Sequence, residues 1–298
     1  MDKEAVKLYK LNERALQFRN SKEFFIGQRI RIYIGLIKQF RFIKMFEQIF
    51  EDVYRVIFKK KKNPEVETLD FNKEYTGKRI VVYTSVFGNY DTIAEPLYCD
   101  PNCDYYIITD QEVPGNSIWK KYEKVNFPEG VNTPFLKNRY VKFMPHKIFK
   151  DYSFSLYIDG NIQIVSAVSL YVANFNSILG IGMHKHPSNV NLYEEVKYNV
   201  RLNKINKRQA KLLLQRYKAE KMPRNFGMLE CNVILRNHSS SKCADIMETW
   251  WNEVSHGIKR DQLYFTLILF EMGFSVDDVY ILGNNINANP MFIREKHK

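Results

Sequence analysis

The sequence predicts an α/β fold, with a mainly parallel, Rossmann-like sheet flanked by helices and an N-terminal amphipathic helical arm. At a polar linker, residues 63–78, the apolar pattern changes from a helical repeat to short apolar runs that alternate with helical segments. Of the 298 residues, 45% are hydrophobic, which is enough to build a large core. We therefore predict a basic helical arm over residues 1–62, the linker, and one domain over residues 79–298.

The arm contains an amphipathic helix from about residue 23 to about residue 58. Its apolar residues recur every three or four positions, as at Ile30, Ile34 and Ile37, and lysines and arginines lie between them. This composition suits a helix that lies on an anionic membrane surface through residues 23–62. The alternative is that the helix packs on its own domain or on a second copy in a homodimer.

The net charge of +12 indicates an anionic partner, which is a phosphorylated substrate, a lipid surface or a nucleic acid. No RNP-type aromatic strand, zinc finger or recognition helix accompanies the charge, so we expect no nucleic-acid partner. The sequence contains no CxxC pair, no secretory signal and no apolar stretch of about 18 residues. We expect a cytoplasmic protein that is peripheral at the inner face of the membrane.

Polar residues follow the first two predicted strands, at the carboxyl ends where a doubly wound sheet binds its ligands. Thr84, Asn89 and Asp91 belong to the first strand and the turn after it, and Asp110 closes the second strand. Such groups suit recognition of a nucleoside. For each of them, turn formation is the alternative.

The segment YIDGNI, residues 157–162, ends a later strand and places Asp159, Gly160 and Asn161 in a turn. An Asp and an Asn two residues apart offer two oxygen ligands to a divalent cation such as Mn²⁺ or Mg²⁺. His184 and His186 follow another predicted strand and are candidates to complete this coordination. The alternative is an Asx turn with local backbone hydrogen bonds.

A predicted basic helix over residues 135–149 carries side chains suited to neutralising a diphosphate beside this turn, namely Lys137, Arg139, Lys142 and His146. On the acceptor side, the candidates are Glu230, Asp261 and Gln262, together with Glu194 and Glu195 at the start of a helix. The alternatives are a solvated basic face, and acidic residues that cap a helix or complement its dipole.

Six motifs occur in order along the chain: YTSVFGNYD, YYIITD, KNRYVKFMPH, YIDGNI, HKHP followed by YEE, and RDQLYF. Over roughly residues 79–274 they resemble a glycosyltransferase-like family known from plant turgor- and mucilage-related proteins and from bacterial polysaccharide loci. The resemblance implies a GT-A fold, a nucleoside-diphosphate sugar as donor and a glycan acceptor. It also implies a metal held by an Asp-x-Asp motif, a role that falls here to Asp159 and Asn161.

The resemblance further implies synthesis of a cell-surface polysaccharide, such as a capsule or O-antigen. Asp261 or Glu230 is the candidate base of an inverting reaction, whereas a retaining reaction needs no such base. The Asn at position 161 removes one charge from the metal site, and the nearby cations are expected to compensate. The alternative function is non-catalytic binding of a nucleotide or glycan on a degenerate transferase fold.

Overall fold

A computed structural model describes residues 2–39, 41, 44–46, 48–49, 69–187, 191–283 and 285–295. Two N-terminal helices, α1 (Lys3–Arg19) and α2 (Lys22–Lys38), precede the domain. Most of the predicted helix beyond residue 39, together with residues 63–68 of the linker, lies outside the described residues.

The domain alternates strands and helices, as its sequence pattern predicted. In chain order, its strands and α-helices are β1 (Ile80–Val86), β2 (Cys103–Thr109), β3 (Lys120–Lys121), α3 (Pro134–Phe143), α4 (Pro145–Ile148), β4 (Phe154–Ile158), β5 (Ile162–Ile164), α5 (Ser169–Ala173), β6 (Ile181–Lys185), α6 (Leu192–Arg201), α7 (Lys207–Ala219), β7 (Leu229–Asn237), α8 (Ser241–His256), α9 (Phe265–Glu271), β8 (Tyr280–Ile281) and β9 (Phe292–Arg294). Short 3-10 turns lie at Asp261–Leu263, Val276–Asp278 and Ile286–Ala288.

Within the described residues, seven strands form one sheet in the order β3-β2-β1-β4-β7-β6-β8, and β5 pairs with β9 in a second sheet. Neighbours in the large sheet are parallel except at β7, which runs antiparallel to β4 and β6. The predicted α/β fold, with a mainly parallel sheet flanked by helices, is confirmed. Because β1 and β4 are parallel neighbours, the loops that follow them meet at one edge of the sheet.

The central strand β1 shows how the sheet is buried on both faces. All seven of its residues are buried. Val81 and Tyr83 pack in one apolar cluster, and Ile80 and Val82 pack in the other. Side chains alternate along a strand, so a strand covered on both faces has a continuous apolar sequence.

The two N-terminal helices differ in their contacts with the domain. Ala5 and Tyr9 of α1 are buried, and Asn12 Nδ2 donates hydrogen bonds to the carbonyl oxygens of Pro290 and Phe292 at 2.8 and 3.2 Å. In α2, all of which is described, no residue is buried. The predicted arm therefore begins with a helix that packs on the domain and continues with one that buries none of its residues.

The predicted basic helix over residues 135–149 is two helices, α3 and α4, and this prediction was wrong in one respect. Met144 interrupts the helix because the residue before a proline avoids the helical region and Pro145 has no N–H to donate. His146 therefore lies on α4 and pairs with Glu248, at 3.3 Å from Nε2 to Oε1. It does not share a face with Lys142.

The predicted helix over residues 261–272 begins with a 3-10 turn and becomes α-helical only at Phe265. Asp261 does not start the helix as an N-cap, because its carboxylate binds two cations described below. Gly273 follows the helix with a φ of 77°, which fits the predicted C-cap. In the described residues, no helix has both the length and the apolar character that crossing a bilayer requires.

Candidate active site

A cavity of about 840 Å³ opens at the carboxyl end of β4, between β7, the start of α6 and the 3-10 turn at Asp261. Segments that are far apart in the sequence meet here because their strands and turns end at the same edge of the sheet. The charged and polar side chains that line the cavity are Arg139, Lys142, Asp159, His186, Asn191, Glu194, Glu195, Tyr198, Asn199, Arg201, Lys204, Glu230, Asn232, Arg260, Asp261, Gln262 and Arg294.

Four of these side chains form the pocket floor, defined as Arg139, Lys142, Asp159 and Asp261. The Nζ of Lys142, whose side chain is 2% exposed, lies 2.8 Å from Asp261 Oδ2 and 3.5 Å from Asp159 Oδ1. Arg139 Nε lies 3.3 Å from the same Asp261 oxygen. Two cations thus balance two carboxylates, and the floor has no net formal charge.

The ionisation of Asp261 is set by these cations. Burial alone would raise the pKa of its carboxyl, but Arg139 and Lys142 outweigh burial and hold the pKa below its usual range. A carboxylate bound by two cations is a poor proton acceptor. Asp261 is therefore suited to holding Lys142 and Arg139 in place. It is not suited to its predicted role as a base.

Asp159 is the most exposed member of the pocket floor, with its side chain 32% exposed. Its Oδ1 accepts a hydrogen bond from the Tyr157 hydroxyl at 3.0 Å. Its backbone N–H donates to the carbonyl oxygen of Asn232 on β7 at 2.9 Å. These bonds fix the carboxylate beside β7, facing the same cavity as Glu230.

Glu230 is the carboxyl group in the cavity whose ionisation fits proton transfer. It is 6% exposed, and its Oε2 accepts a hydrogen bond from the Ile286 N–H at 2.8 Å. Burial raises the pKa of Glu230 to about 7, against the opposing effects of the Ile286 N–H and of the Arg294 charge. A group with this pKa can take up a proton near neutral pH.

His186 and Glu195 form one side of the cavity, with His186 Nε2 3.9 Å from Glu195 Oε2. Burial lowers the pKa of His186, although Glu195 acts in the opposite direction. Glu195 also accepts a hydrogen bond from Asn199 Nδ2 at 2.8 Å. The imidazole is therefore a neutral hydrogen-bonding group at physiological pH.

Four cations form the pocket rim, defined as Arg201, Lys204, Arg260 and Arg294. Arg260 is half-buried and the other three are exposed. Among the residues that the structure describes, none of the four has an ion-pair partner. The cavity thus has a neutral floor beneath a rim with four positive charges.

Two predicted nucleoside ligands, Thr84 and Asp91, lie close to Gly160, the residue after Asp159. A Cβ at Gly160 would lie 2.6 Å from Val86 Cγ2, 3.7 Å from Asp91 Cβ and 4.0 Å from Thr84 Oγ1. Only glycine allows this close approach of the turn to the end of β1. Thr84, Asp91 and Gly160 therefore form one cluster beside the floor.

Asn89 belongs to the loop that follows β1, and Asp110, directly after β2, bonds to that loop. Both carboxylate oxygens of Asp110 accept hydrogen bonds from the Gly88 N–H, at 3.1 and 3.0 Å. Asn89 has a φ of 54°, a conformation that asparagine tolerates in tight turns. In this structure Asp110 stabilises the loop, which corresponds to the turn-forming alternative.

Several other predicted site residues do not face the cavity. Lys137 lies over the Phe127 ring, 5.7 Å from its centroid, and His146 pairs with Glu248. His184 is fully buried, with Nε2 2.8 Å from Asn289 Nδ2, and burial lowers its pKa to about 3.

Asn161 is also directed away from the cavity, because its Nδ2 donates to the carbonyl oxygen of Glu295 at 2.8 Å. Of the four predicted metal ligands, only Asp159 and His186 line the cavity. Among the described residues, no group of three or more His, Cys, Asp or Glu side chains is placed to hold a metal ion. The predicted ligand set therefore does not fit a divalent cation in this arrangement.

Glu194 and Gln262 line the cavity but have local partners. Glu194 Oε1 lies 2.8 Å from Lys197 Nζ, an ion pair on the surface of α6. Gln262 is bonded to β7, since its Oε1 accepts from the Cys231 N–H at 3.3 Å and its Nε2 donates to the Leu229 carbonyl. Gln262 thus fixes the 3-10 turn that carries Asp261.

The sequence analysis missed all four rim cations. Arg260 precedes Asp261 in the RDQLYF motif, and that neighbour was a signal that could have identified it. Arg294 reaches the cavity only because β9 pairs with β5, with Arg294 opposite Ile162. No local pattern indicates that pairing.

Comparisons with known proteins agree with the motifs. A family model described as "TOD1/MUCI70, glycosyltransferase-like domain" matches residues 130–297. The probable hexosyltransferase MUCI70 of Arabidopsis thaliana is 23% identical over an alignment of 234 residues that covers 68% of this chain and 39% of that protein. The chain thus spans about two fifths of the length of this relative.

Solved structures with similar folds include three glycosyltransferases, each 10% identical to the chain. The bifunctional glycosyltransferase WbbM aligns over 70% of this chain and 39% of its own, with a TM-score of 0.42. Mouse xyloside xylosyltransferase 1 aligns over 68% and 83%, with a TM-score of 0.37. The glycosyltransferase GlyE of Streptococcus pneumoniae TIGR4 aligns over 69% and 45%, with a TM-score of 0.38.

The family assignment rests on the match to the family model, which covers more than half of the sequence. That match includes the pocket floor and every residue of the pocket rim. This chain belongs to the TOD1/MUCI70 family of glycosyltransferase-like domains.

Proposed function

We propose that this domain transfers a hexose from a nucleoside-diphosphate sugar to a hydroxyl group of a glycan acceptor, in the synthesis of a cell-surface polysaccharide. The observation that carries the proposal is the cavity itself, which has a neutral floor, the Glu230 carboxyl of near-neutral pKa, and rim cations that no carboxylate of the described residues pairs. A donor of this class carries a diphosphate, which complements the rim charge. The glycosyltransferase-like family and the name of the Arabidopsis relative support sugar transfer.

In the proposed reaction, the bond from the anomeric carbon to the diphosphate oxygen breaks and a bond to the acceptor oxygen forms. Negative charge grows on the departing diphosphate, so cations that are fixed in advance stabilise the transition state more than the bound donor. Asp261 holds Lys142 and Arg139 in place before any donor binds. Little reorganisation of these groups is then needed during the reaction.

The acceptor hydroxyl loses its proton as it attacks the sugar. In an inverting reaction, we assign this proton to Glu230, because its pKa of about 7 allows it to be ionised and still basic near neutral pH. Asp159 faces the same cavity and is fixed by Tyr157 and Lys142. We assign it to orienting the sugar or the acceptor.

The first experiment is a screen of nucleoside-diphosphate sugars by thermal shift, followed by an assay for release of the nucleoside diphosphate. Ligands that stabilise the protein identify the donor, because binding to the native state raises its stability. Asp159→Ala should lower turnover by about a hundredfold or more, since a positioned charge of the site is lost. Each assay is run with manganese, with magnesium and with a chelator.

The matched control is Asp245→Ala, which removes an exposed aspartate on α8. It should leave turnover unchanged. Normal turnover in Asp159→Ala would remove the site assignment. Donor binding without any hydrolysis or transfer would favour the alternative, a non-catalytic nucleotide- or glycan-binding protein.

We also propose that α2 binds an anionic lipid surface at the inner face of a membrane. The exposed side chains Ile26, Ile30, Ile34 and Ile37 recur at three- and four-residue intervals, and each is 46–55% exposed. Lysines and arginines lie on the same helix, including Arg29. Apolar contact and attraction to lipid headgroups together support this type of binding.

The test is sedimentation of the full chain with vesicles that contain anionic lipid, at low and high salt. Replacing Ile30, Ile34 and Ile37 with glutamine should weaken vesicle binding about tenfold or more, because buried apolar area is lost. The control Leu212→Gln removes an exposed leucine on α7. Unchanged binding in the triple variant would refute the proposal, and a change in oligomeric state instead would assign α2 to a homodimer.

A further inference from the structure

Asn161 is bonded twice to one residue that follows the C-terminal strand β9. Its side-chain Nδ2 donates to the backbone carbonyl oxygen of Glu295 at 2.8 Å, and its backbone carbonyl oxygen accepts from the Glu295 backbone N–H at 2.8 Å. The side chain is buried, with 3% of the residue exposed. The next pair along the two strands is Ile162 with Arg294. Asn161 therefore secures the end of β9 beside the turn that carries Asp159.

This pairing requires an amide at position 161. The Nδ2 group is a hydrogen-bond donor, whereas an ionised aspartate has only acceptor oxygens. Asp in this place would set a carboxylate against the Glu295 carbonyl oxygen, and two acceptors would then face each other without a proton between them. The Asn of YIDGNI is thus explained by its contact with β9.

Arg294, the last residue of β9 and a member of the pocket rim, lines the same cavity as Asp159 and Glu230. Its guanidinium has no ion-pair partner among the described residues. Its charge is close enough to Glu230 to oppose the rise of that carboxyl's pKa. A guanidinium presents N–H donors in a planar fork that matches two phosphate oxygens.

We propose that Asn161 is a positioning residue that holds β9 in place, so that the Arg294 guanidinium binds the diphosphate of the donor. The identity of the donor rests on the proposed function. The binding itself requires only a pyrophosphate group. Inorganic pyrophosphate is therefore the probe, and the full chain is titrated with it by calorimetry in the presence of a chelator.

Arg294→Gln should weaken pyrophosphate binding about tenfold or more, because a charge-assisted bidentate contact is lost. Asn161→Asp should weaken it to a similar extent. The double variant should bind no more weakly than Arg294→Gln alone, because Asn161 acts through Arg294 and the two effects are then not additive. A general loss of stability would not produce this pattern.

Hydrogen exchange gives a second measurement. Amides of residues 292–295 should exchange faster in Asn161→Asp and at the normal rate in Arg294→Gln, since only the first variant releases the strand. Asn252→Asp is the control, because it makes the same charge change at an exposed position on α8. It should leave pyrophosphate binding and exchange unchanged.

Three binding results would each overturn the inference: unchanged pyrophosphate binding in Arg294→Gln, additive losses in the double variant, or no pyrophosphate binding by the wild-type chain. A fourth, from the transfer assay, is manganese-dependent transfer gained by Asn161→Asp with pyrophosphate affinity retained, which would assign Asn161 to a metal site. Because Arg294 is exposed, its variant tests the proposal even if Asn161→Asp does not fold. Pyrophosphate binding with the expected pattern, but no turnover of any sugar donor, would uphold this inference and refute glycosyl transfer.

Discussion

The floor and the rim of the cavity contain similar residue types but differ in how their charges are balanced. In the floor, Lys142 lies between two carboxylates and is almost completely buried. In the rim, Arg201, Lys204 and Arg294 are exposed, and in the described part of the chain they have no ion-pair partner. The charges of the floor are paired within the protein, whereas the charges of the rim are available to bind an anionic ligand.

This difference indicates which residues maintain the structure of the site and which are available to bind a ligand. A buried ion pair costs desolvation and is stable only while both partners are present. An exposed cation is surrounded by water and contributes little to stability. We therefore expect floor substitutions to act first on folding and rim substitutions to act mainly on binding.

The largest effect on stability is expected for Lys142→Met, which leaves the Asp261 carboxylate buried with only Arg139 beside it. Breaking such a pair costs about 3–5 kcal/mol of the free energy of unfolding. Urea denaturation measures this loss. Adding Asp261→Asn to the variant should recover part of it, because the uncompensated charge is then removed.

The matched control for this prediction is Lys137→Met on the same helix, α3. Lys137 is half-buried over the Phe127 ring, and within the described residues no carboxylate pairs with it, so its replacement should change the stability by about 0.5 kcal/mol or less. Equal losses in the two variants would mean that the ion pairs of Lys142 do not set it apart from Lys137.

The pH dependence of stability tests whether burial controls the ionisation of Glu230, another carboxyl group of the cavity. Its pKa is raised from 4.5 to about 7, so the native state binds the proton more tightly than the unfolded chain between these values. The stability of the wild-type chain should therefore fall as the pH rises through this window. In Glu230→Gln this titration is absent, and its stability relative to wild type should increase by about 1–3 kcal/mol across the window.

Denaturant unfolding of both proteins at several pH values measures the difference. Asp261 has the opposite sign, because its pKa is lowered and its stabilisation is lost only as the pH falls. A parallel pH dependence of wild type and Glu230→Gln would show that burial does not control this carboxyl.

The smallest effect is expected at the rim. Lys204→Gln should weaken donor binding about two- to fivefold at low salt, and the difference should fade at high salt because exposed charges are screened. Arg208→Gln on α7 removes an exposed cation that does not line the cavity and serves as the control. A salt-independent loss in Lys204→Gln would place that side chain in a buried contact with the ligand.

Much of the fold could be predicted because its strands are continuous apolar runs with both faces buried. The apolar runs over residues 79–86, 153–158 and 228–235 correspond closely to β1, β4 and β7. Asn206 caps α7 in a capping box with Gln209, a pair of residue types at a spacing that the sequence itself displays. These features depend on residues that are near one another in the sequence.

The candidate site was harder to predict because its distinctions depend on distant contacts. Asn161 looked like a partner of Asp159, but its side chain bonds to a residue 134 positions away. His184 and His186 looked equivalent, yet His184 is a buried residue of β6, whereas His186 follows the end of that strand and lines the cavity. A local pattern does not contain the register of a strand or the partners that bury its side chains.

The contact of α1 with the last strand bears on how the protein is synthesised. Asn12 reaches the carbonyl oxygen of Pro290, 278 residues further along the chain, and thereby supports the strand that carries Arg294. During synthesis α1 is made long before β9, so it can dock only after the residues between them have been translated. Such long-range contacts slow folding, and they leave the apolar side of α1 exposed to chaperones until β9 has been made.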